Sequence, residues 1–177
     1  MIKVPNMTLA IDPGPKESGW VVITDDFKPV MFDKEKNSAI LARMDWFKAS
    51  ISDAVIEKPV CMKWSGASLS DTAIVAGIFA GILTLNECLP VYLINRAKVR
   101  GKLSGKNRGD AGVIAELTRR FSPGVSNKGK GTKEEPGFFY GFKDDIWQAF
   151  AVGVVLKDLL NGNAKDKKYI EDGRIKI

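Results

Sequence analysis

The chain has 177 residues, 45% of them hydrophobic, which suits one globular domain with a sizeable core and excludes a disordered chain. A formal charge of +6 favours a polyanionic partner without naming one. There is no histidine, and the two cysteines, Cys61 and Cys88, lack zinc-ligand spacing. Ser-His-Asp and Cys-His mechanisms are therefore excluded, and acid–base or metal chemistry must rest on Asp, Glu, Lys or water.

The segment Met1–Met7 has no basic-then-apolar signal pattern. The longest apolar run, Thr72–Leu85, falls short of the roughly 20 residues of a spanning helix. With its two thiols read as reduced core residues, the chain is expected to be cytoplasmic, with no membrane partner.

In chain order, Met7–Ile11 is a short apolar run that predicts a strand, and Asp12–Gly19 is a turn rich in Gly and Pro. Trp20–Ile23 predicts a second strand, so the chain opens with a hairpin. A third, weaker strand is expected over Pro29–Phe32. Ser38–Ser52 has helical spacing, with Ile40, Leu41, Met44, Phe47 and Ile51 on one side. Ala54–Glu57 predicts a strand that stops at Lys58-Pro59. A long apolar helix follows over Ser70–Glu87, capped by Ser70 or Asp71. Val91–Ile94 reads as a strand, Asp110–Phe121 as an amphipathic helix, Ser122–Gly141 as a loop and Asp144–Leu160 as the last helix. This order predicts an α/β fold: a mixed sheet of about five strands, hairpin strands first, with helices packed on both faces. Residues 1–160 would form one domain and residues 161–177 a polar, basic tail.

Acidic residues fall at the edges of these elements. Asp12 ends the first strand, Glu57 ends the fourth, and Asp144 and Asp145 open the last helix. Taken singly, each has an ordinary explanation: a turn, a solvated strand end, a helix cap. Taken together, they suit phosphodiester hydrolysis without histidine, because magnesium takes carboxylate oxygens and water and favours phosphate oxygens as further ligands.

Four blocks in this order, "LAIDPGPKESGWVVI", "DAVIEKP", "SDTAIVAGIFAGIL" and "KDDIWQAFAVGVVL", resemble the RuvC family of Holliday junction resolvases. The resemblance implies an RNase H-like fold and a magnesium-dependent endodeoxyribonuclease, with manganese able to substitute. It also implies a homodimer that resolves four-way junctions by paired cuts. The family's first catalytic Asp matches Asp12, and its Glu matches Glu57. The family's last motif has two acids three residues apart. Here the first falls on Asp145 and the second on Gln148, a neutral and weaker ligand. The expected catalytic and metal-binding set is Asp12, Glu57 and Asp145, with Asp144 close by or Gln148 binding through its carbonyl.

Between Arg96 and Arg108 lie Arg96, Lys98, Arg100, Lys102, Lys106 and Arg108 with no acid among them. This stretch is either a solvated loop and helix start or a phosphate track whose cations release counterions from DNA. Gly101, Gly105 and Gly109 would let the backbone approach a phosphate. By the resemblance, Arg100 matches one basic position of the family, and Lys106 or Arg108 would take a second. Lys63 and Trp64 follow Glu57, where an aromatic could stack at an opened junction or fold back on the core. Phe138, Phe139 and Tyr140 raise the same question. The helix Ser70–Glu87 is apolar nearly all round and must be buried on more than one side, with Gly77 and Gly81 able to face a symmetry mate.

Three alternatives stand beside a junction resolvase. One is a nuclease of this fold acting on other branched DNA or RNA–DNA hybrids. Another is a non-catalytic junction-binding module. The third, a sugar-kinase or actin-like ATPase fragment, needs a second Gly-rich phosphate hairpin and a much longer chain, and this sequence has neither.

Overall fold

The structure, a computed structural model, describes residues 6–59, 66–85, 89–104, 109–162 and 171–172. Strand β1 (Met7–Asp12) pairs antiparallel with β2 (Glu17–Thr24), and β2 with β3 (Pro29–Lys36). On its other side β1 runs parallel to β4 (Asp53–Lys58), and β4 runs parallel to β5 (Val91–Asn95). A two-residue strand, β6 (Glu171–Asp172), closes the edge against β5, giving the order β3-β2-β1-β4-β5-β6. The hairpin opening and the mixed sheet expected from the sequence are present. Strand β3 continues four residues beyond the expected Phe32. The short pairing by β6 lies in the segment read as a tail.

The strands alternate, and the alternation sorts the core into two layers. Leu9, Ile11, Trp20, Val22, Ala54 and Ile56 face one side, against α1 (Asn37–Ala42), α2 (Met44–Ser50) and α3 (Ala67–Thr84). Ala10, Val21, Ile23, Val55 and Ile94 face the other, against α4 (Arg96–Leu103), α5 (Asp110–Phe121) and α7 (Ile146–Asn161). A single turn, α6 (Ser126–Gly129), lies in the loop before α7. The helix expected over Ser38–Ser52 is broken at Arg43, which leaves its apolar side intact: Ile40, Met44 and Phe47 are all buried.

Helix α7 is the central element of its layer, buried over nearly its whole length. Gly153 lets it lie close on the sheet, since a Cβ there would stand 2.9 Å from Ile23 Cδ1 and 3.0 Å from Ala10 Cβ. Its other side packs into a dense aromatic group of Phe121, Phe138, Phe139, Phe142, Trp147 and Phe150. Phe138 and Phe139 are thus core residues, while Tyr140 is exposed.

Two expectations are corrected. The first part of the basic stretch after β5, Arg96–Leu103, is not a loop: it forms α4, placing Gly101 within a helix instead of at a backbone approach to phosphate. Helix α3 is buried only along Ala76, Phe79, Ala80 and Leu83. Ile74, Ile78 and Leu85 are exposed, and Gly77 has open space beside it. At 18 residues α3 has the expected length but starts three residues earlier, at Ala67, and is long and apolar enough by length and composition to cross a membrane. Its buried edge nevertheless covers the sheet beside β4 and β5.

Gly153→Val forces a branched side chain between α7 and the β1–β2 ladder. The expected loss is about 1–3 kcal/mol in denaturant unfolding, the usual cost of overpacking; an unchanged midpoint would mean that α7 does not seat so tightly.

Candidate active site

Register brings the site together. Asp12 lies one residue past the Ile11–Ile56 pair of the parallel β1–β4 ladder, so it ends beside Glu57. Both share the strand parity of Ala10 and Val55 and therefore face the α7 layer. Across the antiparallel strands Asp12 pairs with Gly19, and Gly19 with Lys34. A row Glu57–Asp12–Gly19–Lys34 thus crosses four strands at one sheet edge.

Asp145 is set above this row. A Cβ on Gly19 would fall 2.5 Å from the carbonyl carbon of Asp145 and 2.8 Å from its Cβ. Only a residue without a side chain admits the start of α7 there. Asp145 occupies the cap position of α7 but makes no side-chain cap bond. Its carboxylate instead takes Lys34 Nζ at 2.9 Å, and that carboxylate holds the lysine above its usual range. Asp144, forced to a positive φ of 40°, stands 3.9 Å from the same Nζ, and its side chain is 65% exposed. Gln148, one turn on, is buried with its Oε1 lacking a hydrogen-bond partner.

Asp12 and Glu57 are both buried. Burial raises Asp12 well above the usual carboxylate range, and the charge of Glu57 adds to the effect. Burial likewise pushes Glu57 up to about 7, against the pull of Arg96 and Arg100. Arg96, the first residue of α4, places Nε 2.9 Å from Glu57 Oε1 and Nη2 3.5 Å from Asp12 Oδ2. Even so, Glu57 Oε2 and Arg96 Nε make no well-formed hydrogen bond. One guanidinium does not compensate two carboxylates drawn out of water.

A cleft of about 1170 Å³ opens over the pair, lined by Asp12, Glu57, Lys34, Arg96, Arg100 and Asp145 among others. The turn at its rim is pinned: Gly14 N donates to Ser18 Oγ, Ser18 Oγ to Asn37 Oδ1, and Asn37 Nδ2 to Gly14 O. Of the basic stretch, Arg96 and Arg100 line the cleft, one helical turn apart, whereas Lys98 and Lys102 do not. Arg100 is paired with Asp110 at 2.8 Å. Lys63, Trp64, Lys106 and Arg108 lie outside the described residues, as do Cys61 and Cys88. Among the described residues no three carboxylates form a ready cation cage. Asp12 and Glu57 form a pair, and Asp145 stands off on the rim. Lys34, Gly19 and Asp110 were not foreseen as site residues, though Lys34 and Gly19 could have been found by extending the hairpin register.

The pH dependence has a definite sign. With its folded pKa above the unfolded value near 4.5, Glu57 contributes stability below pH 4.5 that is lost as pH rises through about 7. In the presence of chelator, Glu57→Gln is expected to gain on the parent across this window, by up to about 3 kcal/mol at pH 8. Parallel stability curves for the two proteins would refute the raised pKa.

No family model matches the sequence, and no curated protein matches it. Solved structures do. RuvC of T. thermophilus in complex with Holliday junction substrate superposes with a TM-score of 0.62 over 89% of this chain and 96% of that one, at 14% identity. A second RuvC structure from Thermus thermophilus gives a TM-score of 0.61 over 94% and 99%, also at 14% identity. The likeness noted in four short blocks of sequence therefore extends to the three-dimensional arrangement, and the chain has the RNase H-like fold of RuvC.

Proposed function

We propose that this chain is a structure-selective DNA endonuclease that resolves four-way junctions by metal-dependent phosphodiester hydrolysis. The observation that carries the proposal is the buried Asp12–Glu57 pair at the floor of a cleft with cationic walls. The donor set fits a hard dication: two desolvated carboxylates, an unpartnered Glu57 Oε2 and, among the described residues, one imperfectly placed guanidinium between them. Asp12 and Glu57 would hold the ion, and Asp145 would join from the rim. Gln148 suits a fourth, neutral oxygen better than Asp144 does, because its Oε1 is buried and unpartnered while Asp144 points to solvent. Magnesium, or manganese in its place, supplies Lewis-acid stabilisation of phosphate charge and a more acidic bound water. Arg96, Arg100 and Lys34 give the cleft the positive charge that phosphate binding needs. Branched DNA as substrate is supported by the shared fold with a RuvC held on a Holliday junction.

Paired cutting needs two sites related by symmetry. The bare side of α3 supplies a surface for this: Ile74, Gly77, Ile78, Gly81 and Leu85 follow i, i+3, i+4, i+7 and i+11 spacing, forming one apolar stripe with small residues for close approach. A homodimer through this stripe would cover it.

One observation favours a non-catalytic junction-binding module instead, namely that Asp145 is bound to Lys34 and not to the pair. Cleavage assays on junction, fork, duplex and hybrid substrates over a magnesium titration decide between them, since junction binding without cutting at any magnesium level would sink the nuclease. Asp145→Asn is expected to lose at least about a hundredfold in cleavage, whereas Asp144→Asn keeps most of it. Full activity in the Asp145 variant would overturn the assignment. Ile78→Lys should sediment as a monomer and lose coordinated cutting of the two strands; a parent protein that is monomeric with and without junction DNA would remove the dimer.

A further inference from the structure

Arg96 occupies a place in the site that phosphate binding alone does not explain. The β4–β5 register sets Asn95 opposite Lys58, so the chain leaves β5 immediately beside Glu57. Asn95 then caps α4 by accepting from Lys98 N, which fixes the backbone of Arg96 in the first turn. Its guanidinium lies between Asp12 and Glu57, within ion-pair distance of both.

The fit is loose. The contacts go to one oxygen of each acid, with no two-pronged fork to either, and Arg96 Nε and Glu57 Oε2 lack hydrogen-bond partners. The arginine side chain is 41% exposed, against 7% for each carboxylate. The acids are fixed in the floor, and the arginine has a way out into the cleft. A dication and a guanidinium cannot share the same few ångströms of space, because their repulsion would be strong in so dry a site. Of the other acids near Arg96, Asp110 is already taken by Arg100 and Asp145 by Lys34. An arginine leaving the pair would therefore next meet whatever anion fills the cleft.

We infer that Arg96 is an internal counter-cation of the Asp12–Glu57 pair, displaced when a divalent metal binds and thereby released toward substrate phosphate. Arg96 is then a positioning residue with two stations. Metal loading and DNA binding become coupled: metal frees a cation for phosphate, and phosphate, by holding that cation in the cleft, favours metal. This rests on the proposal that Asp12 and Glu57 take the metal.

The test is calorimetric titration of Mn2+ into the full chain at pH 8, comparing the parent with Arg96→Gln, Arg96→Lys and Arg100→Gln. Removing the competing guanidinium should tighten Mn2+ binding by about tenfold, within the usual range of coupling between sites. Arg96→Lys keeps the charge but cannot span both acids, so it should gain less. Arg100→Gln, with the same charge change one turn away, should gain least. Junction binding measured by anisotropy should be strengthened by Ca2+ more in the parent than in Arg96→Gln. Equal Mn2+ affinity in the parent and Arg96→Gln would overturn the inference while leaving the metal site standing. A gain in Arg100→Gln as large as in Arg96→Gln would also overturn it, since long-range charge would then suffice. If neither the parent nor any variant binds Mn2+, the metal reading itself fails and this inference with it.

Discussion

The cleft depends on how closely the last helix approaches the edge of the sheet, and that distance is controlled by a missing side chain. Gly19 sits between Asp12 and Lys34 in the cross-strand row, and the backbone of Asp145 rests where its Cβ would be. Any other residue would lift the start of α7 and carry Asp145 away from the carboxylate pair. Gly153 does the same two turns further along, against Ala10 and Ile23. Two glycines on different elements thus set one separation, and the aromatic group behind α7 presses the helix onto them.

With the backbone so constrained, charge arranges the rest. Three carboxylates meet two cations: Arg96 reaches into the buried pair, and Lys34 holds Asp145 on the rim. The pairing is incomplete where it matters. Burial raises both Asp12 and Glu57 despite Arg96, so the folded chain carries a local electrostatic cost that a site chosen for stability alone would have replaced with apolar residues. Such stored cost, in the floor of a cleft, is what the proposed metal ion would relieve.

Much of this was legible in the sequence, and the failures have distinct causes. Asp12 and Glu57 could be placed because each follows an unbroken apolar strand, and neighbouring strands leave their ends together. Lys34 was missed because the second half of β3 reads Asp-Lys-Glu-Lys, with little intrinsic strand preference, and only extending the hairpin register would have found it. The ladder with β2 extends β3 regardless, from Glu17 opposite Lys36 onward. Helix α4 was hidden for a related reason. Its only buried apolar residues are Val99 and Leu103, too few to show periodicity among so many charges, and its start is signalled only by the Asn95 cap. The basic stretch was thus recognised by composition but not divided into the two arginines that line the cleft and the two lysines that do not.

Helix α3 failed differently. Its apolar positions were correctly seen to exceed what one sheet face can cover, but sequence cannot say whether the excess is buried by the same chain or by another. The fold answers the first half: α1 and α2 cover the hairpin side of the sheet, α3 covers β4 and β5, and no described element lies over Ile74 and Ile78. The first turns of α3 reach the cleft, where Leu69 and Thr72 are among the lining residues, whereas Ile74, Ile78 and Leu85 are not. A second copy on that stripe would meet residues that do not themselves line the cleft. One helix would then serve a dimer with its outer stripe and the cleft with its N-terminal turns, so the two demands are divided along α3 and not between the faces of the sheet.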